Sequence, residues 1–114
     1  MNWYIAKLVF NIDIDYGKNN SQFDEQWRLI AAMSLEEAYF KARALGKEEE
    51  GSFINTMQKH VKWEFIDVPE IQLQDLTDGH KVYSYTREAH EAEAYINFVR
   101  NKAMLFQKKS SRFI

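Results

Sequence analysis

The sequence predicts an α+β fold: a two-layer sandwich with a mainly antiparallel sheet of four or five strands and two helices on one face, in the order ββαββα. Three observations carry this. Residues 3–14 alternate with a period of two, as a strand with one buried face does. Ser34-Leu35-Glu36-Glu37 has the form of a helix-capping box and opens a stretch of helical periodicity. A second helical stripe runs through the last quarter of the chain.

The elements follow in order. In the first strand Tyr4, Ala6, Leu8, Phe10, Ile12 and Ile14 form the apolar set, and Trp3, Ile5, Lys7, Val9, Asn11 and Asp13 the mixed one. Asp15 to Ser21 contains Gly17, Asn19 and Asn20, residues that tolerate positive φ, and reads as a hairpin loop. It joins the first strand to an antiparallel second strand over Gln22–Met33. The first helix runs from Leu35 to Gly46 or Glu49, with Leu35, Ala38, Tyr39, Ala42 and Leu45 as its buried stripe and Gly46 as its stop. Phe53, Ile54 and Met57 dock or start a short strand. The third clear strand is Val61–Val68, with Val61, Trp63 and Phe65 facing inward, and Pro69 ends it or places it at an edge. Asp78-Gly79 signals a turn, and Val82–Arg87 reads as the fourth strand. The final helix spans about His90 to Phe106, with Ala92, Tyr95, Ile96, Val99, Ala103 and Phe106 on one face. Tyr39 and Tyr95 read as core residues whose hydroxyls reach the rim.

A chain of 114 residues suits one domain, with a basic tail from about residue 107. Its 46% hydrophobic and 15% aromatic content is that of a globular protein, not of a disordered chain. Cysteine is absent, which excludes a disulfide framework and thiol chemistry. The chain contains no apolar run long enough for a membrane span and no secretory leader pattern, so a cytoplasmic location is the expectation. All 17 acidic residues and 10 of the 15 basic ones fall in the first 93 positions, which therefore carry −7 against +5 in the remainder. An acidic body beside a basic end suits self-association or an acidic partner, and also suits a helix C-terminus stabilised by positive charge.

Several blocks recur together in a way that resembles a known family. They are Trp3-Tyr4-x-Ala6-Lys7-Leu8-Val9-Phe10, then Phe23-Asp24-Glu25-Gln26-x-Arg28-Leu29-Ile30. After these come Glu36-Glu37-Ala38-x-x-Lys41-Ala42-Arg43-x-Leu45-Gly46, Trp63-Glu64-Phe65 and Glu93-Ala94-Tyr95-Ile96-x-Phe98-Val99-Arg100. In this order they resemble a bacterial domain-of-unknown-function family of about 100 residues that opens with a Trp-Tyr-x-Ala-Lys strand. The resemblance implies a small bacterial domain and transfers no reaction, cofactor or catalytic residue.

The best candidate site is the sheet face away from the helices. The expected set is Trp3, Ile5, Lys7 and Val9 from strand one, Gln26, Arg28 and Ile30 from strand two, Lys62, Glu64 and Ile66 from strand three, and Tyr83, Tyr85 and Arg87 from strand four. The binding residues singled out are Trp3, Lys7, Arg28, Lys62, Glu64, Tyr83, Tyr85 and Arg87. Trp, Tyr and Arg are interface-rich types, so the expected partner is a second copy, giving a homodimer, or another protein. The bland reading is a solvated face with cross-strand ion pairs joining Lys7 or Lys62 to Glu25 or Glu64.

Other constellations are weaker. His90 and Glu93 sit three apart at a helix start, but no multi-ligand metal spacing accompanies them. Asp13–Gly17 departs from a calcium loop in the position of its glycine and in lacking the closing Glu. No phosphate-binding glycine loop or nucleophile elbow occurs. No cofactor, metal or catalytic residue is therefore expected. The leading functional expectation is a non-catalytic interaction or self-associating module. The alternative is a small-molecule binder or enzyme with a pocket between the sheet and residues 47–60, lined by Phe53, His60 and Trp63. A third reading is weak single-stranded nucleic-acid binding on the open face, which the acidic net charge disfavours.

Overall fold

The computed structural model describes residues 1–18 and 21–111, with side chains through Lys108. It divides into two compact units, Met1–Val82 and Tyr83–Ile114. The first unit holds strands β1 (Asn2–Ile14) and β2 (Gln22–Ala32), helix α1 (Leu35–Glu48), and strands β3 (Gly51–Ile54) and β4 (His60–Gln74). The second holds helix α2 (Ala92–Ser111). The ββαββα order and the four-stranded antiparallel sheet match the sequence reading; the expected strand Val61–Val68 lies within β4 and Phe53 and Ile54 within β3, whereas the expected strand Val82–Arg87 is absent.

The sheet order is β2-β1-β4-β3. β1 is central because it is the most apolar strand: Tyr4, Ala6, Leu8 and Phe10 are all buried beneath α1. Leu8 and Phe10 are fully buried, and each such side chain contributes on the order of 2 kcal/mol. Phe10 packs against Trp63 and Phe65, with ring centroids 5.7 and 5.6 Å away in tilted arrangements.

Helix α1 starts as expected. Ser34 adopts extended backbone and its Oγ accepts the Glu37 N–H at 3.1 Å. Glu37 reaches back one residue further than the standard box, to the Met33 N–H at 3.0 Å. The buried stripe is narrower than predicted: Ala38, Ala42 and Gly46 are buried, Tyr39 and Leu45 are half-buried, and Leu35 is exposed. Small residues at i, i+4 and i+8 let the helix axis sink onto the sheet.

Gly46 is not the helix stop. It lies inside α1, and a Cβ there would fall within the Phe65 ring. The glycine is there so that the last turn can rest on Phe65.

β4 runs through Pro69, so of the two expectations for that residue, a strand end or an edge position, the edge position holds. Beyond Trp63 it has no β3 partner, so it is an edge there and the missing N–H costs no ladder bond. The register against β1 shifts twice in this region. Lys7 pairs with Glu70, Val9 with Asp67 and Phe10 with Phe65, so β4 carries two extra residues. Residues 82–87 form no strand, despite their β-rich composition.

In the hairpin loop, Asp15, Tyr16 and Gly17 all take positive φ. Tyr16 stacks on His60 at 4.6 Å, and the Asp15 N–H donates to the His60 carbonyl at 2.7 Å. Asn19 and Asn20 lie outside the described residues, as does Arg112 of the basic tail. The rest of that tail, as far as Ser111, is backbone of α2. Within α2, Tyr95, Ile96, Phe98 and Val99 are exposed, so Tyr95 is not the core residue expected, and Lys102 lies over the Phe98 ring at 4.9 Å.

The Gly46 contact yields a direct test. Gly46→Ala should gain about 1 kcal/mol in helix propensity yet destabilise the protein by about 1–3 kcal/mol net through overpacking. Urea denaturation measures this. Phe65→Leu in the same background should return part of the loss.

Candidate interaction surface

Cross-strand pairing settles which residues share the face opposite α1. Trp3 pairs with Ala31, Ile5 with Leu29, Lys7 with Trp27 and Val9 with Glu25 on one side of β1. On the other side Asn11 pairs with Glu64 and Asp13 with Lys62. Trp3, Lys7, Lys62 and Glu64 are therefore on this face, as the sequence reading placed them. Arg28 is not. It pairs with Ala6, so it lies on the α1 side together with Gln26 and Ile30. There its guanidinium forms an ion pair with Glu49. Phe23, Glu25, Trp27 and Leu29 take the far-face positions instead. Tyr83, Tyr85 and Arg87 belong to the second unit and lie outside any strand.

The far face combines apolar and charged side chains. Phe23 is 62%, Leu29 54% and Ile66 50% exposed, and Trp3 is 39% exposed. Ile5 is buried on this face, and Val9 and Trp27 are half-buried. Lys7 is paired with Glu25 at 2.9 Å, one of the cross-strand pairs expected, and its ammonium lies 5.7 Å from the Trp27 ring. At the Trp3 end the chain folds back after β4. His80 Nε2 and Gln74 Oε1 are 3.0 Å apart, and Gln74 Nε2 donates to the Val82 carbonyl at 3.4 Å, which accounts for a buried glutamine.

The two sheet edges differ. Along the β3–β4 edge, Glu50 Oε2 accepts the Phe65 N–H at 3.0 Å, Asp67 Oδ1 accepts the Val68 N–H at 2.8 Å, and Pro69 has no N–H. Along β2, the Lys41 ammonium donates to the Ala31 carbonyl at 2.5 Å. That carbonyl therefore points away from β1. The β1–β2 register has no bulge, so the backbone groups of Phe23, Glu25, Trp27 and Leu29 point outward too. The Asp24, Gln26 and Arg28 side chains run along this edge on the α1 side. Gln26 Nε2 donates to Asp24 Oδ2 at 2.7 Å, and Arg28 Nε donates to Gln26 Oε1 at 3.1 Å.

One polar cluster joins α1 to the β4 irregularity. The Tyr39 hydroxyl donates to Asp67 Oδ1 at 3.0 Å, with Arg43 Nε 3.7 Å from the same oxygen and the Arg43 guanidinium over the Tyr39 ring at 5.6 Å. The Val68 N–H, followed by the Tyr39 hydroxyl and the charges of Arg43 and Lys47, holds the Asp67 carboxyl below its ordinary pKa against an opposing effect of burial. The bond to Asp67, then burial and the Asp67 charge, push the Tyr39 phenol up. No sequence signal marks this cluster, because it depends on the extra residues in β4.

Two surface clefts lie by β3. One of about 320 Å³ is lined by Glu49, Gly51, Ser52, Phe53 and Trp63. The other, of about 440 Å³, is lined by Glu50, Gly51, Ser52, His60, Lys62 and Trp63. Among the described residues no cluster of three or more His, Asp or Glu side chains could hold a metal ion, and no helix is long and apolar enough to cross a membrane.

The fold and surface define a small α+β domain with one helix-covered sheet face and a long, regular terminal strand, β2. The chain belongs to the DUF4288 family, a domain of unknown function, whose family description matches residues 3–84. That match coincides closely with the first compact unit. No curated protein and no solved structure matches the chain.

The Asp67 cluster generates a pH prediction. Because the folded-state pKa is depressed, the stabilisation is present above the ordinary carboxylate value of about 4 and is lost as pH falls through the lower folded value. Asp67→Asn should flatten this part of the acid limb of a stability–pH profile while leaving the fold intact.

Proposed function

We propose that this domain is a non-catalytic interaction module that associates with a second copy of itself. The observation that supports it most is the exposure of Phe23 and Leu29 on an edge strand whose outward backbone groups have no strand beside them. Exposed apolar side chains on the terminal strand of a sheet are a usual basis of β-strand addition. Trp3 and Ile66 are further exposed apolar side chains of the sheet.

A second reading places a small molecule beside residues 47–60. The 320 Å³ cleft supports it, since its lining combines Phe53 and Trp63 with Glu49. Nucleic-acid binding is less well supported, because Lys7 is already paired with Glu25 and Arg28 with Glu49.

Self-association is tested by the solution mass from micromolar to millimolar concentration. The expected result is a reversible monomer–dimer equilibrium. The double variant Phe23→Ser/Leu29→Ser should raise the dissociation constant about tenfold or more, given about 1 kcal/mol per lost apolar contact, without lowering the unfolding midpoint. A strict monomer throughout would overturn the reading.

A further inference from the structure

We infer that helix α2 pairs antiparallel with α2 of a second copy along the seam Ala92, Ile96, Val99 and Ala103, in the register that sets Ile96 opposite Val99 of the second copy. This goes beyond the β2 reading, because it uses the second compact unit, and the two contacts are tested separately.

The seam comes from the spacing. Ala92, Ile96, Val99, Ala103 and Phe106 stand 4, 3, 4 and 3 residues apart, the heptad spacing of a helix–helix contact. All five are exposed, as is Tyr95 beside them. A helix of 20 residues is marginal by itself in water and is held mainly by packing of its apolar face. An apolar stripe of this period fits a partner helix.

Charge favours a second copy and sets its direction. Glu91 and Glu93 stand at the start of α2, and Arg100 and Lys102 in its second half. A parallel copy would bring like ends together and align the two helix dipoles. An antiparallel copy sets each acidic start beside the basic half of the other and opposes the dipoles.

Charge also sets the register. With Ile96 at position a and Val99 at position d, Glu93 and Arg100 are e residues, and Tyr95 and Lys102 are g residues, all flanking the seam. An antiparallel pair brings e beside e and g beside g. With Ile96 opposite Val99, Glu93 meets Arg100 of the second copy, and by symmetry does so twice. Tyr95 meets Lys102, a cation–π pair, also twice. Ala92 falls opposite Ala103 at both ends, where small side chains let the axes approach. Moving seven residues one way sets Ile96 opposite Phe106, but it also puts Arg100 and Lys102 each against its own copy, two like-charge pairs. Moving seven the other way leaves only residues 92–96 of the helices overlapping.

The test is a charge swap in the full chain, read by solution mass. Glu93→Arg alone and Arg100→Glu alone each bring like charges together twice, and each should weaken self-association roughly tenfold. Mixing the two variants should restore wild-type affinity as a heterodimer, since both cross-pairs are then opposite in sign. Loss of the acidic charge at the start of α2 cannot produce that rescue. The native chain has no cysteine. Ala92→Cys mixed with Ala103→Cys should therefore give a disulfide-linked heterodimer under mild oxidation. Neither variant alone should cross-link, because the pairing holds each residue about 16 Å along the axis from its own copy. A wild-type dimer that neither charge variant weakens, or that cross-links through Ala92→Cys alone, would overturn this pairing; if Phe23→Ser/Leu29→Ser still weakens that dimer, the β2 reading stands. A dimer weakened by the α2 charge variants and rescued by mixing, yet unchanged by Phe23→Ser/Leu29→Ser, would support the pairing and overturn the β2 reading. A wild-type monomer at every concentration would overturn both.

Discussion

The close seating of α1 on the sheet is the constraint on which the first unit depends. Ala38, Ala42 and Gly46 present almost no side chain, so the helix backbone lies directly over Leu8, Phe10 and Phe65. The bulk of the core is supplied by the sheet and the space for it by the helix. This division explains why β1 holds the large buried residues and why a single helix can cover that face. It also explains why the cap at Ser34 and the Tyr39–Asp67 bond matter: they fix where along the sheet the small stripe comes to rest. A shift of one helical residue would bring Arg43 or Lys47 against the aromatic rings.

With the core gathered under one helix, the remainder of the sheet is differentiated by its edges. The β4 edge is irregular and blocked, partly because the two extra residues turn Asp67 toward α1 and free Pro69 from any ladder duty. The β2 edge is regular, long and paired without a bulge. Its polar side chains on the α1 side are already held in line, which lowers the entropy lost when a partner strand docks. A straight edge with ordered side chains suits the self-association proposed above better than a kinked and blocked one.

Much of the fold was legible in the sequence because local signals agreed with global ones. The alternation of residues 3–14 marked the central strand, and Ser34 with Glu37 marked the helix start. β2 was harder. Phe23, Trp27 and Leu29 form its more apolar set and invite an inward reading, but only Ile30 and Ala32 reach the core, so Arg28 was placed on the wrong face. On an edge strand the face is decided by the register with its neighbour rather than by local hydrophobicity. Gly46 looked like a stop because glycine commonly ends helices; its role depends on Phe65, 19 positions away in the chain. Tyr83, Tyr85 and Arg87 have strand-forming neighbours, yet propensity alone does not make a strand without a partner. The β2 edge could not be considered as a candidate until strand order was known.

Amide hydrogen exchange, followed residue by residue at low and high protein concentration, tests the central claim most directly. The amides of Asp24, Gln26 and Arg28 are already bonded to β1 and should exchange at the same rate at both concentrations. Those of Phe23, Glu25 and Leu29 point outward, and the account predicts that their exchange slows as concentration rises. Equal exchange of these three amides at all concentrations would contradict it.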